Sequence, residues 1–227
     1  MNPILSIVIP SKNEGFNLIQ VLNLLRGQTD CQVIVADSSD DNDSLTLLKS
    51  YDLPNIKIVN GGLPSVARNK GASLVETPYV LFIDADTYIY EKDLINNCLK
   101  TAIQGDYDLV TCKFKTDKPY RWVYKAFTVI QMFTSFTKPF ALGGFMLFKT
   151  ETFKKLGGFN EEDKIAEDYH LSSKIRPSKF KVQNNYVYTP SRRFCKKGVW
   201  YMIKLMLRCW INRNNNDFYK KDYNYWS

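Results

Sequence analysis

Short apolar runs alternate with longer segments of helical period along the first part of the chain. Runs rich in branched and aromatic residues predict buried strands at 5–10, 33–36, 56–59 and 79–83. Apolar residues spaced three and four apart predict helices at 16–26 and 64–74, and a polar loop that can cap a helix precedes 44–51. This alternation predicts an α/β fold with a mostly parallel central sheet and helices on both faces.

Polar side chains follow these predicted strands. Asn13 and Glu14 come after the first strand, Asp37 after the second, and Asp84 and Asp86 after the strand at 79–83. The carboxyl ends of parallel strands meet at one edge of a sheet, where open α/β folds bind their ligands. We therefore expect these side chains to converge on one site.

Asp84 and Asp86 enclose a small residue, Ala85, directly after an apolar run. Side chains alternate along extended chain, so the two carboxylates can face the same way, and they repel each other unless a cation is near. Mg²⁺ and Mn²⁺ use one or two carboxylates and complete their shell with water and phosphate oxygens. The triplet therefore predicts a metal–diphosphate site, with a solvated turn as the alternative.

The second half of the chain is more aromatic and less regular. A helix is predicted at 91–104 and a strand at 109–114. The segment 122–148 predicts a helix, a loop around Gly143 and Gly144, and a short strand at 145–148. A helix that begins near Thr150 ends at 157–158, and a further helix opens around Glu167 and Asp168.

The charge of +8 at pH 7 is concentrated toward the C-terminus, where basic residues dominate from Lys174 onward. Such a balance favours partners that are polyanions or anionic membranes. The segment 198–213 combines bulky apolar residues and tryptophan with Lys and Arg. It fits a helix in an anionic membrane interface, or equally a helix packed on the core or on a second copy in a homo-oligomer. Residues 214–227 are predicted to be loosely held.

Length and cysteine use narrow the class of protein. A chain of 227 residues fits one domain with a substantial core. Its five cysteines are scattered, the N-terminus predicts a strand and not a signal peptide, and no apolar run is long enough to span a membrane. We expect free thiols and a cytoplasmic location, with peripheral docking on the cytosolic membrane face as the alternative.

Several ordered motifs carry a family resemblance. They are Pro10-Ser11-Lys12-Asn13-Glu14, Asp37 in the loop after the second strand, Ala67-Arg68-Asn69-Lys70-Gly71, Asp84-Ala85-Asp86, Gly143-Gly144, Leu156-Gly157-Gly158-Phe159 and Glu167-Asp168. Over about residues 5–194 the chain resembles the family 2 glycosyltransferases of GT-A fold. It departs from them at Ala36, where the family usually has the first of two Asp residues.

The resemblance implies inverting transfer of a sugar from a nucleotide-diphosphate donor, most commonly a UDP-sugar, with Mn²⁺ or Mg²⁺ as cofactor. Asp84 would contact ribose, Asp86 would bind the metal, and Asp168 would act as catalytic base with Glu167 orienting it or touching the acceptor. The other implied contacts are Pro10, Asn13, Glu14, Asp37, Arg68 and Arg193 for the donor, and Gly143, Gly144 and Glu167 for the acceptor.

His170 is the single histidine. In related enzymes a later histidine can bind the metal, but no matching motif surrounds this one. On a helix it would also face away from Asp168, two residues earlier. A supporting or surface position is favoured over a ligand position.

The resemblance implies one catalytic domain at 1–213, with a nucleotide-sugar half at 1–115, an acceptor half at 116–195 and an amphipathic helix at 196–213. The acceptor is expected to be a glycan, a lipid-linked molecule or a protein. One alternative is a polyprenyl-phosphate sugar synthase, whose phosphate acceptor needs no base. A degenerate transferase is disfavoured by the intact carboxylates, and a nucleic-acid-binding module by the absence of a recognised RNA motif, so no nucleic-acid partner is expected.

Overall fold

The apolar runs of the sequence form the strands of one mixed sheet. A computed structural model describes residues 3–26, 28, 31–40, 46, 55–212 and 214–221. Its strands are β1 (Leu5–Ser11), β2 (Gln32–Asp37), β3 (Ile56–Asn60), β4 (Tyr79–Ile83), β5 (Leu109–Lys115), β6 (Phe145–Lys149) and β7 (Phe180–Tyr188). Within the described residues the sheet has seven strands in the order β3-β2-β1-β4-β6-β5-β7.

The first four strands are parallel, as the alternation of strands and helices predicts. Their carboxyl ends are level, because Ser11 pairs with Asp37 and Asp37 pairs with Asn60 in the ladders. Asp84 follows β4, which lies on the other side of β1. The polar strand exits therefore lie along one edge of the sheet.

Strand β6 runs antiparallel between β4 and β5, while β7 is parallel to β5. The sheet is therefore mostly parallel with one reversed strand. Ile83, the last residue of β4, pairs with Phe145, the first residue of β6. This reversal brings Gly143 and Gly144, just before β6, next to the exit of β4.

Helices cover both faces of the sheet. They are α1 (Gly15–Leu25), α2 (Pro64–Ser73), α3 (Leu94–Gln104), α4 (Arg121–Thr134), α5 (Thr150–Lys155), α6 (Glu167–Ser172), α7 (Arg192–Lys197), α8 (Val199–Ile211) and α9 (Asn216–Tyr219). Apolar residues of α1 and α3 pack on Ile7 and Leu81, whereas those of α2, α5 and α6 pack on Val8 and Phe82. Successive residues of a strand point to opposite faces of the sheet, so alternate residues belong to two apolar cores, one on each face.

Some predicted helix boundaries differ from the structure. The helix predicted at 91–104 begins at Leu94, after Asp93 in the left-handed region. The segment predicted as one helix at 196–213 belongs to two helices, α7 and α8, which meet at Gly198 with a φ of 79°. A glycine in that conformation ends a helix at little cost. The helix predicted at 44–51 lies outside the described residues, apart from Thr46.

At residues 214–221 the structure differs from the prediction of a loosely held end, and residues 222–227 of that predicted segment lie outside the described residues. Asn216–Tyr219 form a short helix, and both Phe218 and Tyr219 are buried. The Tyr219 ring stacks on His170 with a centroid distance of 4.8 Å. The Asn-rich sequence before this segment favoured a loose end, but the buried side chains of Phe218 and Tyr219 attach it to the protein.

The sequence predicts free cysteines and contains no apolar run long enough to span a membrane. All five cysteines are free, as their scattered spacing predicts. Across the parts of the chain that the structure describes, no helix is both long and apolar enough to cross a membrane.

Candidate active site

A buried arginine links the two halves of the candidate site. Arg68, on α2, has a side chain that is 3% exposed. Its Nη2 donates a hydrogen bond to Asp84 Oδ1 at 2.6 Å, and its Nη1 donates to Glu167 Oε1 at 2.7 Å. Burial lowers the pKa of Arg68, but the carboxylates of Asp84, Glu167 and Asp168 outweigh it and raise that pKa overall. The guanidinium is therefore a permanent charge between the exit of β4 and the start of α6.

Asp168 is the carboxylate whose protonation is best matched to neutral pH. Its Oδ2 accepts a hydrogen bond from the backbone N–H of Gly143, and its Oδ1 accepts one from the backbone N–H of Tyr169, both at 2.7 Å. Burial and the nearby Glu167 carboxylate raise the pKa of Asp168 to about 7, against the opposing effects of Gly143 and Arg68. A carboxyl group with that pKa can accept a proton at physiological pH.

The backbone before α6 sets the direction of both acidic side chains. Ala166 has a φ of 49°, in the left-handed region that costs a non-glycine residue about 1 kcal/mol. The chain turns there immediately before Glu167 and Asp168, and Glu167 is buried against Arg68. Packing of α6 through Leu171 into the core holds this turn in place.

The two glycines before β6 are required by close contacts. A Cβ atom on Gly143 would lie 2.8 Å from Arg68 Nη2 and 3.4 Å from Asp168 Oδ2. A Cβ atom on Gly144 would lie 2.8 Å from Thr87 Oγ1. Larger residues would push the loop away from the ion pair, so glycine lets the backbone N–H of Gly143 reach the Asp168 carboxylate.

A second arginine connects the metal-binding candidate Asp86 to Glu14. Arg192, the first residue of α7, donates from Nη2 to Asp86 Oδ2 at 2.6 Å and to Glu14 Oε1 at 2.7 Å. Burial and the neighbouring Asp84 carboxylate raise the pKa of Asp86, and Arg192 only partly offsets them. The sequence prediction chose Arg193 from this basic pair, but the side chain of Arg193 lies outside the described residues. The sequence prediction did not include Arg192, whose contact with Asp86 joins distant parts of the chain.

The loops after β1 and β2, which carry the predicted donor-binding residues, are hydrogen-bonded to each other. Ser39 donates from Oγ to Asp37 Oδ1 at 2.9 Å, and its Oγ accepts from the backbone N–H of Asn13 at 2.9 Å. Asn13 adopts a left-handed φ of 55° and accepts from the backbone N–H of Asp40. Pro10 pairs with Ala36 beneath these loops. Asp37 and Asn13 are therefore adjacent at the predicted edge, in contact through Ser39.

His170 contacts a different carboxylate from the two predicted metal ligands. Its Nδ1 lies 2.6 Å from Asp163 Oδ2, and its ring stacks on Tyr219. The structure therefore joins His170 to Asp163 and the C-terminal helix, and not to Asp84 or Asp86. A supporting position for His170, in preference to a ligand position, stays a prediction.

The Asp84 and Asp86 pair fits a divalent cation. Their mutual repulsion contributes to the raised pKa of Asp86, and both side chains remain partly exposed. No group of three or more His, Cys, Asp or Glu suited to a metal occurs in the described portion. Two carboxylates with open access suit Mg²⁺ or Mn²⁺, which fill their remaining positions with water and phosphate oxygens.

Two curated proteins illustrate the sequence similarity. The chain is 31% identical over 130 residues to poly(ribitol-phosphate) beta-N-acetylglucosaminyltransferase TarP of Staphylococcus aureus, covering 53% of this chain and 39% of TarP. It is 32% identical over 116 residues to the uncharacterized glycosyltransferase YibD of Escherichia coli, covering 48% and 33%. The matched segment thus spans less than half the length of either protein.

Solved structures show that the fold is GT-A. The mannosyltransferase PcManGT of Pyrobaculum calidifontis, in complex with GDP-Man and Mn²⁺, aligns with a TM-score of 0.67 at 19% identity, covering 83% of this chain and 57% of that one. Residues 1–349 of S. aureus TarS in complex with UDP-GlcNAc align with a TM-score of 0.64 at 22% identity, covering 83% and 58%. The predicted fold class is confirmed.

A family model confirms what the motifs and the fold indicate together. The model described as glycosyl transferase family 2 matches residues 6–157, which is more than half of the chain and includes Arg68, Asp84, Asp86 and the two glycines before β6. The chain belongs to glycosyl transferase family 2.

Proposed function

We propose that this protein is a metal-dependent, inverting glycosyltransferase that moves a sugar from a UDP-sugar to a hydroxyl group of a glycan, lipid-linked or protein acceptor. Family membership supports a nucleotide-sugar donor, and the TarS complex with UDP-GlcNAc supports uridine as its base. The observation that carries the proposal is Asp168. This carboxyl group has a pKa of about 7 and lies beside the permanent charge of Arg68.

In the proposed reaction the acceptor oxygen attacks the anomeric carbon while the bond from that carbon to the diphosphate breaks. Asp168 accepts the hydroxyl proton, and the electron pair of the broken bond leaves with the diphosphate. The backbone N–H of Gly143 holds the Asp168 carboxylate toward the acceptor side. A single displacement of this kind inverts the anomeric configuration.

The remaining residues would bind and orient the substrates. Asp37, with Asn13, Glu14 and Pro10, would line the nucleoside pocket, and Asp84 would accept a hydrogen bond from ribose. A cation held by Asp86 and Asp84 would stabilise the departing diphosphate as a Lewis acid. The basic groups proposed to bind the diphosphate are Arg193 and Arg192, which is already hydrogen-bonded to Asp86. The acceptor would contact Gly143, Gly144 and Glu167.

Replacing Asp168 by asparagine tests this proposal. The amide has the shape of the carboxylate but cannot accept the proton, so kcat should fall by about 10²–10⁴. In the wild type, kcat/KM should rise with pH through about 7, because Asp168 must be ionised to act as base. The measurements are initial rates with a UDP-sugar and acceptor across pH, and the product's anomeric configuration by NMR.

The exposed Asp106, which pairs with Lys149 and Lys179, provides a matched control. The Asp106→Asn variant should keep the wild-type rate and pH profile. Full activity of Asp168→Asn would instead support an acceptor that needs no base, as in a polyprenyl-phosphate sugar synthase. Retention of the anomeric configuration would contradict single displacement.

A further inference from the structure

Helix α4 exposes large apolar side chains along one face. Trp122, Val129 and Phe133 occupy positions i, i+7 and i+11 and are 54%, 52% and 74% exposed. Residues at this spacing lie along the same side of a helix. Phe136 continues the row just beyond the helix and is also exposed. Soluble proteins normally bury aromatic rows of this kind.

Helix α8 repeats the pattern. Trp200, Leu207 and Ile211 have the same i, i+7, i+11 spacing and are 74%, 54% and 72% exposed. The opposite face of α8 is buried through Met202 and Leu205. The helix is therefore already anchored to the protein, and its exposed apolar face is additional to that anchoring.

The two helices that carry these exposed faces lie next to each other. On their inner sides, Val123 and Phe127 of α4 share an apolar cluster with Met202 of α8. Beyond the C-terminal ends of the helices, Lys138 Nζ donates a hydrogen bond to Asn214 Oδ1 at 2.6 Å. We call the outer faces of α4 and α8, with Phe136, the apolar surface.

Positive charge surrounds the apolar surface. The sequence has no Asp or Glu from 118 to 150 or from 169 to 216, the two stretches that contain α4 and α8. Six basic residues next to or within the two helices are exposed: Lys118, Arg121, Lys125, Lys196, Lys204 and Arg208. Apolar residues with tryptophan and flanking Lys and Arg form the composition that binds the headgroup region of anionic bilayers.

We propose that the apolar surface docks on an anionic lipid bilayer, with Trp122 and Trp200 at the interface and the basic residues on the lipid headgroups. A second copy of the chain fits this surface less well, because a two-fold contact would place the same basic side chains against one another. A polyanion such as RNA would pair with the Lys and Arg residues but leave the aliphatic and aromatic rows in water.

Docking would also fix the position of the candidate active site relative to the bilayer. Helix α4 leads into the loop that carries Gly143, and α7, which begins at Arg192, leads into α8. Both helices of the apolar surface are thus continuous with elements that reach the site. The docking itself does not depend on the proposed transferase reaction, so the two proposals can fail separately.

Co-sedimentation of the full chain with vesicles tests the proposal. Binding is measured to vesicles of equal parts phosphatidylcholine and phosphatidylglycerol, and to vesicles of phosphatidylcholine alone. We expect binding to the anionic vesicles with a blue shift of tryptophan fluorescence, and much weaker binding to the neutral ones. The double variant Phe133→Gln/Trp200→Gln should lower the partition coefficient by at least about tenfold. Lys125→Gln/Lys204→Gln should lower it by about tenfold on anionic vesicles only.

Matched controls distinguish vesicle binding through the apolar surface from nonspecific binding by other exposed residues. Phe16 on α1 is 74% exposed, as Phe133 is, so Phe16→Gln removes an equally exposed phenylalanine elsewhere and matches the single variant Phe133→Gln. Lys57 and Lys100 are exposed outside the apolar surface, so Lys57→Gln/Lys100→Gln removes equal charge. Both controls should bind like the wild type, and melting temperatures should show that every variant is folded.

Three results would overturn the proposal. One is no binding of the wild type to anionic vesicles at low salt. Another is equal loss of binding in the surface variants and their controls. The third is a concentration-dependent dimer in sedimentation velocity that Phe133→Gln/Trp200→Gln abolishes without any change in vesicle binding, since that would assign the surface to self-association.

Discussion

At the scale of single residues, the candidate site consists of charges that hold one another in place. Arg68 lies between Asp84 and Glu167, and Arg192 lies between Asp86 and Glu14. The two arginines differ in burial, because the Arg68 side chain is 3% exposed and that of Arg192 is 49% exposed. Arg68 is therefore a fixed part of the scaffold, whereas Arg192 can exchange its partners with solvent and ligands.

Arg192 is hydrogen-bonded to Asp86, the carboxylate that is proposed to bind the metal. The guanidinium group and the metal ion should therefore compete for Asp86. In the absence of nucleotide, Arg192→Gln should bind Mn²⁺ about two- to fivefold more tightly, because an exposed ion pair of this kind contributes at most about 1 kcal/mol. Isothermal titration calorimetry with Mn²⁺ measures this directly. Arg176→Gln, an exposed arginine on another loop, controls for the lost charge and should bind as the wild type does. Weaker binding in Arg192→Gln would contradict competition.

At the scale of elements, the short helix α6 depends on its neighbours. It has six residues and begins after a left-handed alanine, so its own hydrogen bonds stabilise it little. The C-terminal helix α9 supports it from outside: Tyr219 is fully buried and stacks on His170, and its backbone oxygen accepts a hydrogen bond from Lys164. A segment far along the chain thus helps to hold Glu167 and Asp168.

Two substitutions at Tyr219 separate the ring from the hydroxyl. Tyr219→Ala should lower the free energy of unfolding by about 3–5 kcal/mol, because it leaves a cavity where a buried aromatic ring packed. Tyr219→Phe should leave it unchanged or raise it slightly, because the buried hydroxyl has no hydrogen-bond partner in the described structure. Urea unfolding curves provide the values. A large loss in Tyr219→Phe would mean that the hydroxyl is bonded after all.

At the scale of the whole molecule, the sheet brings two halves of the chain to one edge. The residues predicted to bind the donor lie at the exits of β1, β2 and β4. The reversed strand β6 returns the chain to the same edge with Gly143 and Gly144. Arg68 then joins Asp84 in the first half to Glu167 in the second. Ligand binding at this edge should therefore stabilise the fold as a unit.

Donor binding should appear as a thermal shift. UDP at about 100 times its Kd adds about 2.7 kcal/mol of stability by mass action. For a domain of this size that raises Tm by about 5–10 °C. We expect the full shift only with Mn²⁺ present, and loss of its metal-dependent part in Asp86→Asn but not in Asp106→Asn. A shift that is equal with and without Mn²⁺ in the wild type would contradict metal-assisted binding of the diphosphate.

Local pattern was enough to recover much of the fold and the candidate residues. Buried strands, helical period and polar strand exits are short-range signals, so β1 to β4, their parallel order and the edge that carries Asp37, Asp84 and Asp86 could be predicted. The family motifs added Arg68, Gly143, Gly144, Glu167 and Asp168 as candidates. The comparisons confirm the fold and the family, while the roles of these residues stay predictions.

Contacts between distant parts of the chain could not be derived in this way. No period or motif states that Arg68 pairs with Glu167, 99 residues later, or that Arg192 reaches Asp86. The burial of Tyr219 and the reversal of β6 likewise depend on how many elements pack at once. The amino-acid pattern determines which residue types stand at the ends of strands, because that depends on neighbours along the chain. Which charges meet, and therefore which carboxyl group has a pKa near 7, follows from three-dimensional packing, because burial and charge proximity exist only in the folded protein.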